Sequence, residues 1–369
     1  MIRYSNLYSE NKIILQRILK GVTKNIKNST YILKDDVSIF EKNICKYLNV
    51  KYCVGLNSGT DALLLALSQL NLKKGDEVIT TPLTYVATIS AILHVGAKPI
   101  FVDIADDFNI DVLQIEKKIT KKTKCILPVH LFGRCCDMQK INNIAKKYNL
   151  SVIEDSAQSF GSKINNRFSG TFGNIGCFSL HPMKTLNVLG DGGFIVTNNR
   201  KYASKIKTLR DHGRLKKKNK SLYLHYGFNS RLDNIQAAIA NIKLKSINKL
   251  INNRIRNANL YKKFLCKDRK IRIPFFKHKL NFYDTFNSFV ILSRKKKEII
   301  YKLKSNGVEV LEDLTQCITL EKNLFSNKKV QMKRAEYFFK NCIYLPINPF
   351  LKEKEIKFIC NHIVTAISE

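Results

Sequence analysis

The 369-residue chain is 44% hydrophobic, 10% aromatic and 25% charged, which excludes wholesale disorder and gives a prior of two domains, at most three. With only 16 Gly and 7 Pro, collagen-like and Pro-rich linker architectures are excluded too. Lys and Arg (64) outnumber Asp and Glu (29), a net charge of +35. The bases are nonetheless spread along the chain, so solvated helix faces and a shallow field for a diphosphate are expected, with no nucleic-acid partner.

Taken in order, Met1–Gly21 alternates apolar with charged residues, so no signal peptide is expected there. Seven short β-rich runs follow, at 51–56, 77–81, 99–104, 125–131, 151–155, 176–180 and 193–198. Helical patterns separate several of them, at 61–70, 88–96 and 138–149, the signature of βαβ units and a mostly parallel sheet. The most apolar long stretch, Leu83–Val102, holds Thr84, Thr88, His94, Lys98 and Pro99, so no membrane span is expected. Residues 232–262 read as one long amphipathic helix. A strand at 286–293 and helices at 295–306 and 353–367 complete the chain. These patterns divide it into a large domain, 1–245, with an N-terminal helical segment, and a smaller α/β domain, 246–369. The ten cysteines form no CxxC and no zinc-spaced set with His. Cys125 and Cys177 lie in apolar runs, so reduced thiols, a cytoplasmic location and no metal site are expected.

Four segments carry chemistry. Asn57-Ser58-Gly59-Thr60 follows a strand and opens a helix with Ser58 as N-cap, the arrangement in which free N–H groups seat a phosphate. Many such turns bind nothing. The strand Val152-Ile153-Glu154-Asp155 delivers Asp155 to its carboxyl end, either as a turn acid or as a counter-ion for a protonated ring nitrogen. Lys184, in Ser179-Leu180-His181-Pro182-Met183-Lys184, sits between a short strand and the return Gly190-Asp191-Gly192-Gly193; in so basic a chain one lysine says little alone. Tyr85, just past a strand end, is a core residue or an aromatic able to stack on a ring. Together, and in this order, the phosphate seat, aromatic, acid and lysine are what pyridoxal phosphate requires.

At this point the sequence resembles the DegT/DnrJ/EryC1/StrS family of sugar aminotransferases, which use pyridoxal 5'-phosphate. The resemblance is carried by YILKDDVSIFEKNICKYLNVKYCVGLNSGTDALLLAL, GDEVITTPLTYVATISAI, GAKPIFVDI, PVHLFGRCCDM, VIEDSAQSFGS, GTFGNIGCFSLHPMKTLNVLGDGGFIVTN and GFNSRLDNIQAAI, in family order from about residue 30 to 245. A weaker echo, CIYLPINPFLKEKEIKFI, lies near the C-terminal end.

The resemblance implies a fold-type-I α/β transferase, its mostly parallel central sheet sandwiched by helices, with a smaller C-terminal α/β domain. It implies Lys184 as the Schiff-base lysine and proton carrier, Asp155 against the ring nitrogen, Gln158 near the ring hydroxyl and Tyr85 stacked on the ring. Gly59, Thr60 and Ser179 match the phosphate cup. Asn229 matches an asparagine reaching the phosphate from the other subunit of a homodimer with shared active sites. The implied reaction moves an amino group from glutamate to a 3- or 4-keto sugar linked to a nucleotide diphosphate, making an amino-sugar for surface polysaccharide or glycosides. A sugar dehydratase, in which histidine replaces the lysine, and an aminocyclitol aminotransferase are the neighbouring alternatives. A regulatory or nucleic-acid-binding relative is the alternative that is not an enzyme. Many relatives line the sugar pocket with a His-Tyr-Pro-like stretch; here Gly307–Ile318 carries Glu312 and Asp313 instead. The basic stretch His212–Lys220 either contacts the diphosphate or is a solvated loop. His181 reads as a packed histidine with a minor orienting role at most.

Overall fold

The computed structural model describes residues 1–217, 220–266, 270–274, 281–312, 314–321 and 331–368. Lys218, within the basic stretch, and Asp313, beside Glu312, lie outside them.

Three helices lead into the sheet: α1 (Leu7–Lys12), α2 (Leu15–Lys27) and α3 (Asp35–Leu48). Ten strands follow: β1 (Tyr52–Leu56), β2 (Glu77–Thr80), β3 (Leu83–Thr84), β4 (Lys98–Phe101), β5 (Thr123–Ile126), β6 (Ser151–Asp155), β7 (Lys163–Ile164), β8 (Arg167–Phe168), β9 (Ile175–Ser179) and β10 (Gly193–Thr197). Seven of them form the central sheet in the order β1-β10-β9-β6-β5-β2-β4. β10 runs antiparallel to both neighbours, and the remaining pairings are parallel. Each of the seven expected strands is one of these.

The reason is legible in the residues. β1, β9 and β10 are apolar runs buried almost throughout, as strands covered on both faces must be. Against the sheet pack α4 (Gly59–Leu67), whose Ala62, Leu63, Leu65, Ala66 and Leu67 are buried, and beside it α5 (Val86–His94). On another side of the sheet Phe178 and Phe194 stack with ring centroids 4.6 Å apart, and Phe40 of α3 meets Phe194 edge-on at 5.5 Å.

The long helix expected over 232–262 is in fact two, Asn234–Leu244 and Ile247–Leu265. The amphipathic pattern persists across the break. However, Ser246 folds back on Lys243, its N–H and hydroxyl both donating to the Lys243 carbonyl (3.0 and 3.2 Å), and this tightens the turn. Beyond it, Phe289–Leu292 pairs antiparallel with Cys342–Leu345, flanked by the helices Lys296–Ser305, Lys333–Asn341 and Glu353–Ser368. The short strand Gln316–Cys317 returns to pair with β3, which lays the segment before it over the carboxyl ends of the parallel strands. Among the described residues, no helix is long and apolar enough to cross a membrane.

Candidate active site

At those carboxyl ends lies a cavity of about 400 Å³. Its walls are Ser58, Gly59 and Thr60 at the start of α4, Thr84, Tyr85 and Thr88 around the start of α5, Asp155 at the end of β6 with Gln158 beyond it, and Ser179 at the end of β9 with His181 and Lys184 beyond it. Thus Gly59, Thr60, Tyr85, Asp155, Gln158, Ser179 and Lys184 meet in one place although 125 positions separate the first from the last.

The start of α4 is built to receive an anion. Ser58, in extended conformation, caps the helix by accepting from the Asp61 N–H at 3.0 Å. The N–H groups of Gly59 and Thr60 have no acceptor within the helix, and the positive end of the helix faces the cavity. Glycine is required at 59 by close approach: a Cβ there would lie 2.7 Å from the Ser179 Cβ.

The two acids of β6 point to opposite faces, as strand alternation demands. Glu154 is wholly buried and accepts from the N–H groups of Gly170, Phe172 and Gly173 (2.8, 2.7 and 2.6 Å) and from His130 Nε2 at 2.9 Å. Because His130 Nδ1 accepts the Cys136 N–H at 3.0 Å, the geometry assigns the ring proton to Nε2. Glu154 is therefore a saturated structural carboxylate.

Asp155 instead faces the cavity, only 5% exposed. It accepts from the Thr88 hydroxyl at 2.8 Å and the Ala157 N–H at 3.1 Å. Burial pushes its pKa above the ordinary carboxylate value, and these two donors and the charge of Lys184 oppose that push. Lys184 is held in the opposite sense. Enclosure lowers its pKa from the ordinary lysine value, and Asp155 opposes the change. The pair thus shares one cavity in which each favours the charge of the other.

Around them, the Gln158 Oε1 accepts the Phe132 N–H at 3.0 Å. Phe132 (φ 58°) and Gly133 (φ 89°) are both left-handed, and a Cβ at 133 would lie 2.5 Å from the Phe286 nitrogen, so this turn presses against the segment following Asp284. Tyr85, 57% exposed, stands at the rim. His181 lines the cavity; burial first, and Lys184 second, lower its pKa.

Asn229 is the exception. It is exposed, bridges Asp211 through the backbone, and does not line the cavity of its own chain. It follows an antiparallel hairpin, Arg214–Lys217 with Lys220–Tyr223, near which Tyr223, Leu224, Tyr226 and Phe228 are all exposed. Glu312 is also away from the cavity, paired with Lys304 at 3.0 Å. Sequence reasoning missed Thr88, Met183, Asp191 and Leu314, all of which line the cavity. Thr88 alone left a signal, as a polar residue at the start of an apolar helix; Leu314 arrives only because Gln316–Cys317 pairs with β3.

Three likenesses accompany this geometry. A pleiotropic regulatory protein of Geobacillus stearothermophilus is 36% identical over 368 residues, with 98% of this chain and 97% of the relative covered. A UDP-2-acetamido-2-deoxy-3-oxo-D-glucuronate aminotransferase of Pseudomonas aeruginosa is 34% identical over 362 residues, covering 98% and 99%. The crystal structure of a DegT DnrJ EryC1 StrS aminotransferase from Brucella abortus superposes with a TM-score of 0.93 at 28% identity, covering 99% of each chain. The fold is that of an α/β aminotransferase. The chain belongs to the DegT/DnrJ/EryC1/StrS aminotransferase family, whose profile matches residues 12–364.

Proposed function

We propose that the chain transfers an amino group between glutamate and a keto-sugar linked to a nucleotide diphosphate, using pyridoxal 5'-phosphate. The observation that carries this reading is the single cavity that joins a half-buried lysine, a buried carboxylate and an open helix N-terminus. The residues fit the cofactor: the N–H groups of Gly59 and Thr60, with Ser179, would hold the phosphate, Asp155 the ring nitrogen, Gln158 the ring hydroxyl, and Tyr85 the ring face. When bound, the cofactor supplies an aldehyde that condenses with amines and a protonated ring that draws electrons from the reacting carbon.

The chain's own residues supply the rest. Enclosure disfavours the charged form of Lys184, which suits its Nζ to take a proton from the α-carbon of glutamate and return it later. Asp155, held ready by Thr88 and Ala157, gains a cation to face and keeps the ring nitrogen protonated. A lysine at 184, rather than the histidine of sugar dehydratases, favours aminotransfer. The name of the Geobacillus relative suggests a regulator, but regulation gives no use for two opposed ionisable groups, Asp155 and Lys184, in one cavity.

Within the same reading, residues 1–245 bind the cofactor and residues 246–369 help to enclose the sugar, with Leu314 at the join. The chain works as a homodimer. The exposed Tyr223, Leu224, Tyr226 and Phe228 are an apolar surface suited to a second copy, and Asn229 beside them would serve that copy's phosphate seat. The protein acts in the cytoplasm. The test is to mix purified protein with pyridoxal phosphate and follow the visible absorbance. A band that forms, bleaches with glutamate and returns with one member of a panel of nucleotide-linked 3- and 4-keto-sugars supports the reading; a colourless protein contradicts it.

A further inference from the structure

Against the backbone of Lys184, and apart from the residues that line the cavity, lies a buried cluster with no part in the reading above. It joins three elements distant in sequence. Glu10 belongs to α1, Asn187 follows Lys184 by three residues, and Lys243 ends the helix Asn234–Leu244. They are 7%, 2% and 2% exposed. The Asn187 amide stands at the centre. Its Nδ2 donates to Glu10 Oε1 at 2.9 Å and to the backbone carbonyl of Lys184 at 3.0 Å, and its Oδ1 accepts from Lys243 Nζ. Lys243 Nζ also pairs with Glu10 Oε1 at 3.6 Å.

Both N–H groups of the amide and one of the two acceptor positions of its oxygen are thus committed, and its orientation is fixed because the Lys184 carbonyl can only accept. Burying such a charged pair rarely adds stability over an apolar replacement of the same volume. What the pair does here is hold one amide so that its second N–H meets the carbonyl of Lys184. We propose that Glu10, Asn187 and Lys243 are positioning residues for Lys184, holding its backbone so that the amine reaches the same reacting atom in every turnover. The inference rests on the cofactor reading above.

The N-terminal segment is anchored well enough for this role. Ile2 exchanges backbone bonds with Gly307 and Glu309 (2.7 and 2.9 Å), and the Tyr4 hydroxyl lies 3.2 Å from Ser288 Oγ. Tyr4 and Lys184 share a small recess of about 40 Å³ with Asn287 and Ser288. Glu10 is therefore presented by a segment sewn to residues 307–309, and is not free to leave.

The test uses holoenzyme. Steady-state rates per bound cofactor are measured with glutamate varied, and the visible band is titrated with pH; the titratable groups around Lys184 are Tyr85, Asp155, His181 and Asp191 in the cavity and Tyr4 in the recess. Asn187→Ala is expected to lower kcat by about 10- to 100-fold, the cost of a small misplacement of a reacting group. KM for glutamate should stay within about threefold, and the pH midpoint of the band should move. Glu10→Ala should do the same, Glu10→Gln, which keeps an acceptor for Asn187, should restore most of the rate, and the double alanine variant should be no slower than Asn187→Ala alone. Should Asn187→Ala not fold, the two Glu10 variants decide the matter. Alanine variants that melt at lower temperature while keeping wild-type kcat and midpoint overturn the proposal. A colourless wild-type protein instead overturns the cofactor reading, and this inference with it.

Discussion

The floor of the cavity and the excursion at 211–231 are made on opposite terms. On the floor, strand ends and a helix start bring side chains together, and three of them are held by named partners: Ser58 by Asp61, Asp155 by Thr88 and Ala157, Gln158 by Phe132. The excursion has ion pairs of its own, with Asp211 receiving Arg214 and Arg231 at 2.7 and 3.1 Å. It nevertheless leaves Tyr226 and Asn229 in solvent. In the proposed dimer the first region serves the chemistry of its own chain, and the second presents what a second chain would use. Substitutions in the first should act on chemistry within each subunit, and those in the second on what passes between subunits.

The largest expected effect is on the floor. Lys184→Ala should abolish multiple turnover while the protein stays folded, as measured by sugar amination over many enzyme equivalents. Asp155→Asn should follow, with a fall of roughly 10²- to 10³-fold, the usual cost of removing one electrostatic partner of a reacting centre, read as kcat/KM. Asn229→Ala sharpens the comparison: cofactor retention should weaken on dialysis, and mixing this variant with Lys184→Ala should recover activity that neither shows alone. No recovery would mean that the excursion does not complete a neighbouring site.

A smaller effect is expected from Thr88→Val. Thr88 donates to the Asp155 carboxylate and so favours its charged form; without that bond the carboxyl keeps its proton to higher pH. The acid limb of the pH–rate profile should therefore move upward, with a loss at neutral pH of about 10-fold or less. Ser58→Ala is the mildest. It should cost about 1 kcal/mol in denaturant unfolding through the lost cap, with a modest weakening of cofactor affinity.

How much of this was legible in the residues differs between parts of the molecule. The seven strands announced themselves because doubly covered strands are apolar runs bounded by turns, and β6 matches its expected span at 151–155. Asp155 was legible as the last residue of a strand, and Lys184 only through its place in an ordered set with the Gly59 turn and Tyr85; both line the cavity. The break at Lys245–Ser246 was not, since amphipathic periodicity continues through it and only the back-bonding of Ser246 shows the turn. Lys243 and Glu10 were the hardest. In a chain with 64 Lys and Arg, Lys243 reads as one more solvated base, and nothing local says that Glu10 meets it across 233 positions. Leu314 was hidden for the same reason: its place depends on the pairing of Gln316–Cys317 with β3, a contact between remote segments.

The most direct test of the central claim is chemical. Protein incubated with pyridoxal phosphate is reduced with borohydride, digested and mapped by mass spectrometry. The account predicts one stoichiometric phosphopyridoxyl label, on the peptide bearing Lys184, and its loss in Lys184→Ala. A label spread over surface lysines, or concentrated on another one, would contradict it.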